Sequence, residues 1–347
     1  MNPPTLSVIM PIYNKASELP KGLELILNQS FQPKEIIIVD DGSTDNSFEI
    51  IESFAQKYPI IQAYKNEKNR GVNFTQNRCL ELVTGDYLHS GSAEDHIFPR
   101  FYEKSMKLLG QYPQAGLCTS LCLRVDDHGN KLSTVPEPPY LSSSPHFIPP
   151  EEMLNAITKK EFELMSATTL FRVDILKEIG GFPYLKHYED IFISLLLGLN
   201  YGVCFIPEPL GQFLLSSESG SNMYRTNPEA IMDISNQTKQ LMTSNKFIKY
   251  FPPLLIQDFM TRQRYLSGAI ALTNISKAYE KSIEGLKIYA FQNLSISGRI
   301  FFSLTSFIAK ALNLAMRFYL FLRLRNITWR IFLRACYRIR NKIEKQF

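Results

Sequence analysis

The sequence predicts an α/β fold, a parallel sheet with helices on both faces, followed by an all-helical C-terminal region. Three observations carry this. Short β-branched runs alternate with amphipathic helical stretches between residues 5 and 85. The 347 residues exceed one ordinary domain, and 45% hydrophobic against 20% charged residues gives ample apolar mass for a core. From residue 228 onward the pattern reads helical, with breaks near Pro252-Pro253 and Gly298. That composition excludes disorder, collagen-like repeats and small disulfide-stapled classes.

Leu6 to Met10 is a buried-strand run ending at Pro11. Residues 16–29 place Leu19, Leu23, Ile26 and Leu27 on one helical face. Glu35 to Asp40 is a second strand, Asp41 to Ser47 a turn with helix-capping residues, and a helix runs through Phe54. Ile60 to Tyr64 is a third strand, 72–83 a helix, 86–88 a fourth strand, and 97–109 a helix. Leu117 to Val125 reads as a strand, 126–130 as a turn, and the Pro- and Ser-rich stretch 135–150 as a loop over the site. Helices are expected over 151–160, 172–179 and 191–200, with a stop at Gly180-Gly181 and a short strand over 202–207. In sheets of this kind ligands bind outside the carboxyl ends of the strands. Here those ends carry Tyr13-Asn14, Asp40-Asp41 and Ser92 to Asp95.

The net charge of +5 hides a split. From Arg299 on there are eleven basic residues and one acidic, against 27 basic and 32 acidic before it. The five cysteines are scattered and complete no metal-ligand spacing, so they read as reduced thiols of a cytosolic protein. The N-terminal stretch has neither the basic nor the long apolar segment of a secretory signal.

Three blocks in order carry a family resemblance. Residues 7–47, SVIMPIYNKASELPKGLELILNQSFQPKEIIIVDDGSTDNS, resemble the opening of family 2 glycosyltransferases, which have the GT-A fold, a Rossmann-like nucleotide-diphospho-sugar transferase domain. Residues 69–95 are similar to that family's Asn-x-Gly helix, Gly-Asp-Tyr strand and acidic metal motif. Residues 180–210 resemble its Gly-Gly-Phe segment, Glu-Asp pair and Pro-Glu-Pro-Leu ending. The resemblance divides the chain into a GT-A domain over 1–230, a helical extension over 231–298 and basic amphipathic helices over 299–347.

What the resemblance implies can be set beside what the residues do on their own. Pro11, Tyr13, Asp40, Asp41 and Asn77 fall at donor-nucleotide positions. A carboxylate accepts a hydrogen bond from a uracil-type N–H, and the Tyr13 ring suits stacking on a base. An acidic pair at a strand exit is also an ordinary turn and cap. Glu94 and Asp95 fall in the metal motif, with Ser92 replacing its first acid. Hard divalent cations such as Mn²⁺ or Mg²⁺ take carboxylate and phosphate oxygens. The same acids could simply favour a helix N-terminus. Asp190 is the implied general base and Glu189 its neighbour, as displacement at an anomeric carbon requires. Thr75-Gln76-Asn77 stands where the family often has an arginine, and no histidine follows Pro209-Leu210. His89, His96 and His187 read as structural.

In the tail, Arg330, Arg334 and Arg338 form a basic stripe, with Trp329 and Phe332 on the apolar face. Such helices lie in a membrane interface. The longest uncharged run there, Ile300 to Ala309, is too short to span a bilayer. Nucleic acid is not an expected partner, because the acidic body lacks a basic groove. The expected protein is an inverting, metal-dependent transferase on the inner face of the cytoplasmic membrane. It would take a nucleoside-diphosphate (UDP) sugar and a glycan or lipid-linked glycan acceptor. The rival reading is a catalytically weakened nucleotide-sugar-binding protein of the same fold, motivated by Ser92 and Glu94. A dinucleotide oxidoreductase is excluded, since Pro11-Ile12-Tyr13-Asn14 replaces the glycine fingerprint.

Overall fold

A computed structural model describes residues 3–94, 96–126, 129–136, 143–158, 166–185, 188–214, 226–264, 266–267 and 270. One compact unit comprises residues 1–222 with 234–258, and a second takes 223–233 and the chain from 259. The expected amphipathic helices beyond residue 299 lie outside the described residues. Among the described residues, no helix is long and apolar enough to cross a membrane.

The first unit is built on a ten-stranded sheet. Its parallel part runs β3 (Ile61–Lys65), β2 (Glu35–Asp40), β1 (Leu6–Ile12), β4 (Tyr87–Ser90). Helices α1 (Leu19–Leu27), α2 (Ser47–Lys57) and α3 (Val72–Leu82) make the connections. All six residues of β2 are buried, which is why this strand reads as a continuous apolar run rather than an alternation. The chain winds from β1 towards β3 on one side, then returns to place β4 on the other. The reversal between β1 and β4 is a switch point, where such sheets bind ligands beyond the strand ends.

The other part is mixed. β9 (Thr169–Arg172) is antiparallel to both β4 and β6 (Leu117–Val125), and β10 (Val203–Leu214) is parallel to β6. β5 (His96–Ile97), β7 (Lys131–Val135) and β8 (His146–Ile148) complete the sheet on β10, β6 and β10. Helices α4 (Phe101–Gln111), α5 (Pro150–Thr158), α6 (Val173–Glu178), α7 (Glu189–Tyr201) and α8 (Pro228–Met242) follow in chain order.

Several elements depart from the sequence reading, each for a tertiary reason. Helix α1 starts at Leu19, because the amides of Lys15 and Ala16 donate to Ser47 Oγ and Asp45 Oδ2 (2.9 and 3.1 Å). Pro20 then fits the first helical turn, where no amide is needed. Helix α4 starts at Phe101, since His96 and Ile97 pair with β10 and Phe98 N–H donates to Leu210 O (2.8 Å). The stretch 135–150 is less a loop than expected: Val135 ends β7 and His146–Ile148 form β8. β10 continues to Leu214, with register shifts on either side of Pro209, the kind of irregularity at which a strand tolerates proline.

Candidate active site

At the exits of β1 and β2, the backbone is shaped by side chains. Asn14 sits at φ 50°, a left-handed conformation asparagine tolerates. Its Oδ1 accepts from Thr44 N–H (2.8 Å) and its own N–H donates to Ser43 Oγ (2.9 Å), joining the two exits. Tyr13 is 43% exposed beside them, and Pro11 pairs in register with Val39. Asp40 is buried; one carboxylate oxygen accepts from Ser43 N–H (3.1 Å) and the other has no partner. An orphaned buried acceptor is costly unless something donates to it.

Asp41, also buried, is fully engaged. It accepts from Asn66 Nδ2 (2.6 Å), Arg70 N–H (2.9 Å) and Gly71 N–H (2.8 Å). Gly71 is the N-cap of α3 at φ 87°, which glycine adopts freely. The Asp41 charge therefore lies at the amide-rich start of α3, where an anion is favoured.

At the exit of β4, Gln76 Nε2 on α3 donates to Ser90 Oγ (3.0 Å), and Gln76 Oε1 is buried without a partner. Ser92 Oγ accepts from Glu94 N–H (3.2 Å). Glu94 forms an ion pair with Lys15 from the end of β1, across the switch point. Asp95 and His187 lie outside the described residues. The oxygen donors Glu94 and Ser92 are of the kind Mg²⁺ or Mn²⁺ takes, so their chemistry fits a hard cation. Among the described residues, no three His, Cys, Asp or Glu side chains gather to hold one. His89 is buried between Phe101 and Tyr102, with Nδ1 2.8 Å from Tyr102 Oη, and burial pushes it down to about 4. It is part of the core.

The third block meets the same helix. Asn77 Oδ1 accepts from Phe182 N–H and Asn77 Nδ2 donates to Phe182 O, both at 2.8 Å. This pair of hydrogen bonds grips the turn after Gly180-Gly181. Gly181 has φ 82°, and a Cβ there would come within 2.3 Å of Asn77 Oδ1. One turn earlier, Asn73 Nδ2 donates to Pro183 O (3.2 Å), with the Glu189 carboxyl nearby. Glu189 opens α7 and is buried; burial first and the Asp190 charge second push its carboxyl up to about 7. Asp190 beside it is half-buried, with Oδ1 accepting from Ile191 N–H (2.7 Å). Phe192 anchors α7 against Phe247 and Phe251, with ring centroids 5.1 and 5.0 Å apart.

The comparisons with known proteins fall on this same stretch. Residues 7–180 match the model of glycosyl transferase family 2. The chain belongs to that family. Among its relatives is the uncharacterized glycosyltransferase YibD of Escherichia coli K12, 38% identical over 103 residues, 30% of each chain. The putative glycosyltransferase EpsE of Bacillus subtilis is 34% identical over 149 residues, 42% of this chain and 54% of that protein. The matched stretches thus cover only about a third to a half of these relatives. Two solved structures share the fold. S. aureus TarS 1–349 superposes over 78% of this chain and 73% of that one, at TM-score 0.57 and 19% identity. The mannosyltransferase PcManGT of Pyrobaculum calidifontis, solved with GDP-Man and Mn²⁺, does so over 94% and 86%, at TM-score 0.54 and 17% identity. The architecture is the GT-A fold.

Within this family 2 chain, the geometry adds Lys15, Asn66 and Asn73, which the sequence reading passed over, and gives Gln76 a partner in Ser90. Their signal was present in α3, where Asn73, Gln76 and Asn77 recur at helical spacing on a face that would otherwise be apolar. Helix α3, itself in the second block, bonds to all three. It caps on Asp41, bonds Ser90 through Gln76, and holds Phe182 and Pro183 through Asn77 and Asn73.

Proposed function

We propose that this chain is an inverting glycosyltransferase that moves a sugar from a UDP-linked donor to a hydroxyl of a glycan or lipid-linked glycan acceptor. The setting is cell-surface polysaccharide assembly. The observation that carries this reading is helix α3, one rigid element bonded to the nucleotide-side, diphosphate-side and base-side blocks together. On the donor side, Tyr13 is the stacking surface for the base and the orphaned Asp40 oxygen is the acceptor for its N–H. Pro11, Asp41 and Asn77 act by fixing the strand exits and turns around it.

Asp190 is the base. It takes the proton of the acceptor hydroxyl as that oxygen bonds the anomeric carbon, and the bond to the diphosphate breaks with its electrons leaving on the diphosphate oxygen. Asp95 and Glu94 would hold a divalent cation, whose chemistry there is charge stabilisation on the leaving group. Lys15 places a further positive charge at that edge. Support for the donor class comes from TarS, solved with UDP-GlcNAc, and for the setting from the minor teichoic acid biosynthesis protein GgaB, 33% identical over 108 residues. The stripe of Arg330, Arg334 and Arg338 with Trp329 and Phe332 would rest at the inner face of the cytoplasmic membrane, bringing the site to a lipid-linked acceptor.

The Lys15–Glu94 pair and Ser92 favour one second reading, a nucleotide-sugar binder with weakened catalysis. A single assay separates the two. Donor hydrolysis or transfer with Mn²⁺ present, lost in Asp190→Asn while UDP binding persists, is the result expected of the enzyme. Binding without turnover in the wild type supports the weakened protein. Absence of nucleotide binding under every metal condition rejects both.

A further inference from the structure

Lys15 and Glu94 meet across the switch point. Lys15 follows the exit of β1 and Glu94 the exit of β4, and these strands are parallel neighbours, with Ile9 opposite Ser90. The ammonium of one and the carboxylate of the other form an ion pair there. Both main chains beneath the pair are clamped. Lys15 N–H donates to Ser47 Oγ (2.9 Å), and Lys15 O accepts from Leu19 N–H (3.0 Å). Glu94 N–H donates to Ser92 Oγ (3.2 Å). The main chain of Ala93 lies so close to α1 that a Cβ on Gly22 would meet Ala93 O at 2.8 Å.

The two side chains are less confined. They are 36% and 39% exposed, so solvent screens the pair and little is lost by parting it. A lysine ammonium is a compact charge on a flexible stem, able to trade one anion for another while the backbone stays in place. Other cations around the strand exits have different partners. Lys65 lies over the Phe48 ring at 4.5 Å and Arg70 over Phe74 at 3.7 Å, while Arg78 donates to Lys65 O (2.9 Å) and to Asn66 Oδ1. A diphosphate arriving at these exits carries charge of the same sign as Glu94. With Lys15 in place, the Glu94 oxygens are also withheld from a divalent cation. One movement of the ammonium answers both conflicts.

We infer that Lys15 is a diphosphate-binding residue held in reserve: when the donor binds, its ammonium passes from Glu94 to the phosphate oxygens and the Glu94 carboxylate is released to the divalent cation. This rests on the transferase reading above and deepens it. The ion pair is then the resting form of the leaving-group site, and the clamped main chains confine the exchange to two side chains.

The test titrates the full chain with three probes. UDP without metal is followed by calorimetry, Mn²⁺ without nucleotide by electron paramagnetic resonance of the free ion, and uridine by saturation-transfer NMR. Lys15→Met is expected to weaken UDP by about fivefold or more, since a charge-assisted contact to phosphate is lost. The same variant should bind Mn²⁺ about two- to fivefold more tightly, the scale of a half-exposed ion pair. Uridine, which has no phosphate, should saturate equally in both proteins. Unchanged UDP affinity in Lys15→Met, with the wild type binding UDP, overturns the inference and leaves the donor reading standing. A parallel loss of uridine makes Lys15 a support of the pocket and overturns it too. Mn²⁺ affinity that fails to rise shows that Lys15 does not withhold Glu94, and the exchange is rejected. A wild type that binds neither uridine nor UDP strikes the donor reading itself, and the inference falls with it.

Discussion

Glu189 is a residue whose surroundings change its chemistry. Its carboxyl ordinarily titrates near 4.5, and burial with the Asp190 charge alongside pushes it to about 7. The folded state therefore holds this proton more tightly than the unfolded chain does. The stability contributed by the neutral form is complete below pH 4.5, falls as pH rises towards 7, and is gone above it. For so buried a group that is about 3 kcal/mol. Glu189→Gln should remove this slope and make the protein more stable at pH 8, as measured by urea unfolding at a series of pH values. Asp190→Asn should reduce transfer by about 10²–10⁴-fold while UDP affinity is kept. The Glu-Asp pair itself was legible in the sequence from its spacing after Gly180-Gly181. That the fold buries Glu189 and leaves Asp190 half-buried was not, because burial depends on what packs around the start of α7.

At the scale of elements, α3 is where contacts converge, and two substitutions probe it. Gly181→Ala must adopt φ 82° and drive a methyl into Asn77. A loss of about 1–3 kcal/mol is expected, checked by denaturant melting. Asn77→Ala leaves Phe182 N–H and C=O without their partner, with a similar loss expected. At the opposite end of the site, Lys15→Ala frees Glu94 and removes a like charge from a cation's approach. Mn²⁺ affinity, read by electron paramagnetic resonance of the free ion, should rise by about two- to fivefold, the scale of a half-exposed ion pair. The parallel half of the sheet was readable because each of its strands and helices carries its own periodicity. The short strands β5, β7, β8 and β9 were not, because they are defined by the partners they pair with. The late start of α1 was hidden likewise, in amide bonds to a turn thirty residues away.

Across the whole molecule, the residues proposed for the donor side lie at the exits of the parallel strands, while the acidic pair enters on α7 after the antiparallel β9. In the sequence both halves read as separate motifs, and what joins them shows only as amides recurring at helical spacing in α3, a signal easily taken for an ordinary polar helix face. For the same reason the reach of the tail is a question for experiment. Removing residues 299–347 should shift the protein from the membrane fraction to the supernatant, with UDP binding unchanged. Retention in the membrane fraction would assign anchoring to another part of the chain. Finally, Asn73 and Asn77 hold Pro183 and Phe182 by main-chain atoms, not by side chains. Position 184 can thus be randomised without loosening its framework. A saturation library at that one codon would try every side chain at one surface position while the turn beneath it stands.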